Sequence, residues 1–322
     1  MHIPDGFINL GTSAAAGVIS AATVGVSLKK ASQEHDRIIP MAGLTAAFIF
    51  ALQMLNFPVG AGVSGHLLGG ALAAVLVGPW VGTLVMSVVL IVQALLIADG
   101  GLSALGLNVL NMGIVAVWVG WLLFRGLTKA LPKTTGWAIV SSMLAAFVSV
   151  VAAAIAFTIE YAIGGQGGAS LSTVLTGMVG VHALIGIGEA IITGVVLGAV
   201  LAVRPDLVAG VEGVDLAPTR SAPSARAVWA FVVGGMVVAL ALVFFVAPLA
   251  DPDPDGLNFV AIDTGFDHTE QPSPIDTPLA GYGVKGIEDD RVGTITAGAI
   301  GTVVVFGIGL GLVALVRRRR TA

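Results

Sequence analysis

Nine stretches of this 322-residue chain are apolar over about the length a helix needs to cross a bilayer, roughly 20 residues. They fall near 7–28, 38–57, a short run ending at 78–79, then 80–98, 107–124, 137–163, 174–203, 228–249 and 294–316. Lipid offers no partners to backbone polar groups, so segments of this kind fold as helices, and shorter ones survive where neighbours shield them. With 56% hydrophobic and only 11% charged residues, against roughly 25% charged in soluble domains, the sequence predicts an all-α integral membrane protein. Its 44 glycines suit close helix–helix approach in lipid.

Nine crossings put the termini on opposite sides, and the charges choose the orientation. With the N-terminus outside and the C-terminus inside, the inner loops and tail hold Lys29, Lys30, Arg37, Arg125, Lys129, Lys133, Arg204, Arg220, Arg226 and Arg317, Arg318, Arg319 and Arg320. Only Lys285 and Arg291 then lie outside, the asymmetry that the positive-inside rule predicts. Between 204 and 226 the composition turns to Pro, Ser, Ala and Asp, as in a linker. The expected organisation is a seven-span bundle over 1–203, an inner linker over 204–226 and a two-span segment over 227–322.

Several chemistries are excluded. No cysteine is present, which removes disulfides, zinc–thiolate sites and thiol catalysis. The net charge of −4 gives no footprint for nucleic acid. No phosphate-cradling G-x-x-x-x-G-K-[ST] loop occurs, so the chain is not expected to hydrolyse ATP. No cleavable signal peptide is read at the start, since a basic region is missing and Pro4-Asp5-Gly6 interrupts the run. Met1 is expected to persist, because a large residue follows it.

The opening, Met1-His2-Ile3-Pro4-Asp5-Gly6-Phe7, carries the first candidate site. A terminal amine, the amide nitrogen of residue 2 and its imidazole can close two fused chelate rings on one metal, leaving one position for a donor from elsewhere. Nitrogen donors suit Ni²⁺, Co²⁺ and Cu²⁺, and a planar set favours Ni²⁺ or Cu²⁺. The glycine-rich turn Gly60-Ala61-Gly62-Val63-Ser64-Gly65-His66 falls on the same outer face, so His66 can meet His2 without crossing the membrane. His66 also reads as a helix-start residue bonded to a loop carbonyl. In the seventh run His182 and Glu189 share a helix face two turns, roughly 10.5 Å, apart, too far to hold one ion. Ionisable groups inside a membrane are functional suspects. His182 either supports the donors from behind or bonds across helices, and Glu189 has a structural or coupling role. Gln93, Asn108 and Asn111 are further candidates for the cavity wall, or pair among themselves.

These residues resemble a known family. Met1–Phe7, the Gly60–His66 approach and the run His182-Ala183-Leu184-Ile185-Gly186-Ile187-Gly188-Glu189-Ala190 are similar to the CbiM/NikM family, the substrate-capture (S) components of energy-coupling-factor cobalt and nickel transporters. The resemblance covers about 1–203. The tail resembles the NikN-like, or PDGLE, component: its signature reads Pro254-Asp255-Gly256-Leu257-Asn258, with Asn where the motif has Glu, and Pro278-Leu279-Ala280-Gly281-Tyr282-Gly283 is also similar.

The resemblance implies that the Met1 amine, the His2 amide and imidazole and the His66 imidazole hold Co²⁺ or Ni²⁺ as transported substrate, with no prosthetic group. It implies partners too: a CbiQ/NikQ-like transmembrane coupling subunit and CbiO/NikO-like cytoplasmic ABC ATPases, in a bacterial or archaeal cell membrane. The outer acidic loop, about 250–293 with Asp251, Asp253, Asp255, Asp263, Asp267 and Glu270, is expected near the metal entrance. There it attracts cations, or is simply solvated. The rival readings are a metal-binding sensor or scaffold without transport, an ion-driven transporter, and an intramembrane metallohydrolase using His182 and Glu189. The hydrolase lacks a nucleophile and a two-histidine zinc motif, and the ion-driven reading lacks paired interrupted helices in matching halves.

Overall fold

The computed structural model describes residues 1–34, 38–60, 62–211, 214 and 224–321. His35, Asp36, Arg37, Ala61, Arg220 and the linker positions 212, 213 and 215–223 therefore lie outside the described residues, as do the side chains of Arg319 and Arg320. Among the described residues, seven helices are long and apolar enough to cross a bilayer. The protein is a multi-pass membrane protein.

An extended N-terminal segment leads into α1 (Leu10–Ala31), whose start is fixed by Asn9: its Oδ1 accepts from Thr12 N at 2.9 Å. Lys29 and Lys30 sit in the last turn, where cations oppose the helix dipole. α2 (Ile38–Gln53) is 16 residues, about 24 Å at 1.5 Å per residue. It is buried almost all round, so protein rather than lipid surrounds it and its modest length is tolerated. A two-stranded hairpin follows, β1 (Phe57–Gly60) and β2 (Val63–Gly65), antiparallel with an irregularity between Pro58 and Gly60. No strand was expected in this glycine-rich stretch. Its ladder is only three or four residues long and leans on tertiary partners described below.

The short third run folds as α3 (Gly70–Val77), eight residues and entirely buried. At about 12 Å it is too short to cross a bilayer core of about 30 Å unaided. Glycines set both limits. Gly69 precedes the helix at φ +84° and Gly78 closes it at φ +79°, a region that side chains with a Cβ rarely adopt. Pro79 then opens α4 (Pro79–Val92), which runs into a π-helical turn at Gln93–Ile97. Next come α5 (Leu105–Asn108), a π-helical segment at Val109–Val115, and α6 (Ala116–Ala130). π-turns of this kind often accompany functional positions, and these two carry Gln93 and Asn111. α7 (Thr135–Gly164) and α8 (Leu171–Val203) pack as a long pair.

The tail adds α9 (Ala225–Phe245), the outer α10 (Gly256–Thr264) and α11 (Asp290–Thr321). α11 docks against α2 and α9. Small residues bring the two backbones together: a Cβ at Gly43 would stand 2.9 Å from Leu310 Cβ and 3.0 Å from Phe306 O. Large apolar side chains such as Val18, Ile159, Val195 and Phe245 face outward, as a lipid-facing surface requires. The outer end is closed by an aromatic knot, with Phe7 meeting Phe266 edge-on at 5.0 Å and Tyr161 and Phe157 beside them. Phe7 and Phe266 are both fully buried, worth about 1.5–3 kcal/mol per side chain.

Candidate metal centre

The N-terminal segment is threaded into the bundle as though it were a strand. Asn108 acts as its neighbour: Ile3 N donates to Asn108 Oδ1 at 2.7 Å, and Asn108 Nδ2 donates to Ile3 O at 3.1 Å. Gly101 N donates to Ile3 O, and Gln271 N, from the tail, donates to Asp5 O, both at 2.8 Å. Asp5 is buried, and its carboxylate takes Leu102 N, Ser103 N and Ser103 Oγ at 3.1, 2.7 and 2.5 Å, which replaces the water it has lost. These bonds hold Met1 and His2 below the surface, 2% and 7% exposed.

The terminal amine lies 2.8 Å from His66 Nε2 and 2.5 Å from Asp255 Oδ2. His66 donates through Nδ1 to Leu67 O at 2.9 Å, which leaves the Nε2 lone pair facing the amine. The imidazole of His2 stacks on that of His66, with centroids 5.0 Å apart and planes 26° from parallel. His2 Nε2 meets Gln93 Oε1 at 3.1 Å, and Nδ1 lies 3.3 Å from Asp99 Oδ1. Gln93 is held in turn by Gln53 Oε1 at 2.9 Å, while Tyr282 OH donates to Asp99 Oδ2 at 2.7 Å.

Burial pushes the His2 imidazole down to about 4 against the opposing pull of Asp99, so the ring is neutral at ordinary pH. Burial alone would raise the Asp255 carboxyl. The Met1 ammonium, His66 and the Asn258 N–H outweigh it and hold the group well below the usual carboxylate range. Burial, with Asp99 beside it, pushes the Tyr282 hydroxyl well above its ordinary value, so it stays a donor.

Glu189 explains how His66 is placed. Its Oε2 and Oε1 accept from Leu68 N at 2.6 Å and Gly69 N at 3.0 Å, tying α8 to the non-helical link between His66 and α3. Both oxygens are engaged by backbone, which suits a structural post and leaves little for a hydrolytic base. His182 lies in α8 with Nδ1 2.8 Å from Met178 O and Nε2 buried without a hydrogen-bond partner among the described residues. It meets the tail: a Cβ at Gly256 would stand 3.1 Å from His182 Cε1, so the glycine after Asp255 is what lets α10 seat on α8. The tail is strapped here as well, with Ser64 N donating to Pro254 O at 3.0 Å and Ser64 Oγ to Asp253 O at 2.6 Å.

Among the described residues, no three His, Asp or Glu side chains group so as to hold a metal. A metal bound at this place would need main-chain nitrogen, or side chains drawn closer together than they stand here. A cavity of about 800 Å³ reaches it, with His2, His66, Asp99, Asp255, Tyr282 and Arg291 among its walls.

Residues 2–207 match the family described as the cobalt uptake substrate-specific transmembrane region, CbiM, and 229–318 match the PDGLE domain. The chain belongs to the CbiM family. A fused nickel transport protein, NikMN, from Archaeoglobus fulgidus is 35% identical over the full length of both chains. A cobalt transport protein CbiM from Sorangium cellulosum is 33% identical, covering 69% of this chain and all of that one. A crystal structure of a transition metal transporter superposes with a TM-score of 0.57 at 31% identity, over 63% of this chain and 93% of the other. This CbiM-family chain is thus a relative of metal transport proteins and carries a PDGLE segment of the kind expected from its tail.

Of the residues singled out in the sequence, Met1, His2, His66, Gln93 and Asn108 converge. Glu189 and His182 stand behind them, holding the His66 link and seating the tail. Asn111 does not join them: its Nδ2 donates to Glu160 Oε2 at 2.8 Å, deeper in the bundle. Asp99, Gln53 and Tyr282 were not anticipated, and Asp255 only as part of the PDGLE signature and as one acid among six. The acidic residue at the start of the Asp99–Gly106 loop and the tyrosine inside Pro278–Gly283 were the available signals, but neither reveals a partner without the docked tail.

Proposed function

We propose that the chain is the substrate-capture component of an energy-coupling-factor importer for divalent cobalt or nickel, not an enzyme. The metal is cargo, held by the Met1 amine, the His2 amide nitrogen and imidazole, and the His66 imidazole. A seven-span capture region (1–203) with its N-terminus outside, a cytoplasmic linker (204–226) and a two-span PDGLE region (227–322) ending inside complete the reading. A CbiQ/NikQ-like coupling subunit and CbiO/NikO-like ATPases drive inward release.

The observation that carries this is the buried amine 2.8 Å from the free lone pair of His66 Nε2, in a CbiM-family chain. Two potential donors are already in contact, and the third, His2, is neutral and stacked beside them. When His2 donates its Nε2–H to Gln93, its Nδ1 keeps the lone pair that closes a chelate ring with its own amide nitrogen. Loading displaces protons from the amine and the amide, so capture is coupled to proton release. The packed tail and the strapped N-terminal segment exclude water around the ion. Release then requires that the link at His66 move, and Glu189 makes α8 the element positioned to move it.

The test is equilibrium dialysis of the full chain with Ni²⁺ and Co²⁺, comparing the native N-terminus with a chain extended by one glycine before Met1. Loss of stoichiometric binding on extension supports the amine as a donor, and equal binding rejects it.

A further inference from the structure

Asp255 belongs to the tail, yet its carboxylate is aimed at the donors of the capture site. Oδ2 lies 2.5 Å from the Met1 amine and 3.5 Å from His66 Nε2, while Oδ1 accepts from Asn258 N at 2.9 Å and so caps α10. The two oxygens thus do separate work, one fixing the helix and one facing the site. The main chain just before it is fixed too, because Asp253 O and Pro254 O are bound by Ser64, two residues before His66.

We propose that Asp255 is a direct ligand of the transported ion, an apical oxygen donor that the PDGLE segment adds to the nitrogen set; this rests on the capture site proposed above. Nitrogen donors bind first-row divalent ions at about 2.0–2.1 Å, so two of them at a right angle stand about 2.8–3.0 Å apart. Met1 N and His66 Nε2 stand 2.8 Å apart. An apical oxygen at about 2.0–2.2 Å from the ion lies about 3 Å from each in-plane donor. The distances of 2.5 and 3.5 Å from Asp255 Oδ2 straddle that value.

Charge leads to the same residue. A divalent ion bound to a neutral amine, two neutral imidazoles and one deprotonated amide has a net charge of +1. A buried charge of that kind is costly without a counter-charge. Asp255, with 13% of its side chain exposed, supplies one negative charge to the ammonium before loading and to the ion afterwards, so it faces a positive charge in both states. The carboxylate need not leave when cargo arrives. The Asn at position 258 is consistent with this role, because the group that reaches the site is the motif's Asp and not its last residue.

The experiment uses the full chain with its native N-terminus in detergent, titrated with NiCl₂ or CoCl₂, reading affinity by dialysis and geometry by visible absorption and magnetic susceptibility. Asp255→Asn keeps the cap, since Asn caps helices as well as Asp does, and removes the charged donor. The expected result is binding at least tenfold weaker, with Ni²⁺ passing from a five-coordinate paramagnetic ion to a planar diamagnetic one. Asp253→Asn removes the same charge from the same segment and should leave the spectrum unchanged and affinity within twofold. Tighter or unchanged binding by Asp255→Asn with an unaltered spectrum overturns the proposal, because the carboxylate would then only clamp the ammonium and compete with cargo. An equal loss in Asp253→Asn overturns it too, by reducing the effect to general electrostatics. The glycine-extended chain separates the two readings: if it binds as well as the native one, the amine site itself is wrong, and the apical role falls with it.

Discussion

Two buried polar clusters lie in this molecule, and they are built differently. At the outer end, Met1, His2, His66, Gln93, Asn108 and Asp255 form a network in which the amine, amides and ring nitrogens meet partners. Deeper in the bundle, Asn111 and Glu160 share one hydrogen bond, and Asn111 Oδ1 and Glu160 Oε1 have no partner among the described residues. A satisfied network fixes geometry, whereas a half-satisfied one leaves stability unused. The contrast teaches that burial of polar groups alone does not single out a place for cargo; the proposed site is distinguished by convergence from several elements. The outer network draws on the N-terminal segment, the β2–α3 link, α4, the Asp99 loop and the tail, while the inner pair joins only α7 and the neighbouring π-helical segment.

The largest effect is expected where that convergence is broken at a donor. His66→Ala removes an in-plane nitrogen and leaves the amine facing a cavity. Ni²⁺ and Co²⁺ affinity should fall at least a hundredfold in dialysis, as it should with the extended N-terminus. Affinity within threefold of the native chain would mean the outer network is structural and that the contrast has been misread.

Glu189 tests whether the network depends on its support. Glu189→Ala strands two buried backbone N–H groups, at about 1–3 kcal/mol each, so a loss of roughly 2–6 kcal/mol is expected in unfolding of the cargo-free chain. Cargo affinity should drop with it, because Leu68 and Gly69 lie only two and three residues after His66. Glu189→Gln keeps one acceptor and should restore part of both. If stability falls while affinity holds, the His66 link is positioned by the hairpin and not by α8.

Much of the outer site could be read from the chain before folding. Charge asymmetry led to the expectation that residues 2 and 66 share a face, and their imidazoles stack 5.0 Å apart; the chelating potential of an N-terminal histidine supplied the proposed donors. Gln93 and Asn108 were legible as polar interruptions in apolar runs. The contribution of Asp255 was not, since it appears as one carboxylate among six and becomes distinct only when Gly256 seats α10 on His182. The shortness of α3 was legible as a short run ending at 78–79, but what bounds it was not. Hydropathy counts apolar residues, and it does not register that Gly69 and Gly78 take backbone angles that end a helix. Asn111 looked equivalent to Asn108 by spacing, one turn away on the same run. The π-helical segment beginning at Val109 alters the register between them, and they face different partners.

Protonation of His2 gives a further measure of how tightly the outer network is closed. Its folded value near 4 lies below the ordinary value of 6.5. Between those limits the unfolded chain binds more protons than the folded one, so stability is complete above pH 6.5 and is lost as pH falls towards 4. The full shift corresponds to about 3 kcal/mol. Thermal melting of the cargo-free chain should show this slope, and His2→Gln should flatten it. Parallel profiles for the two chains would mean that the imidazole reaches water and that the site is open.

The smallest effect should come from the inner pair, and its pattern matters more than its size. Asn111→Leu alone leaves Glu160 buried with no hydrogen bond, costing about 1–3 kcal/mol. Adding Glu160→Met removes the stranded carboxylate together with both unpartnered oxygens, so the double variant should be more stable than the single one and close to the native chain. Such non-additivity is the signature of a pair that acts as a unit. Cargo affinity should remain within twofold in both variants, because neither residue touches the proposed Met1, His2 or His66 donors. A tenfold loss in the double variant would join the two clusters into one system and make the π-helical segment at Val109–Val115 the route between them. Unchanged binding would leave the inner pair outside the cargo site and confirm that convergence, not buried polarity, identifies that site.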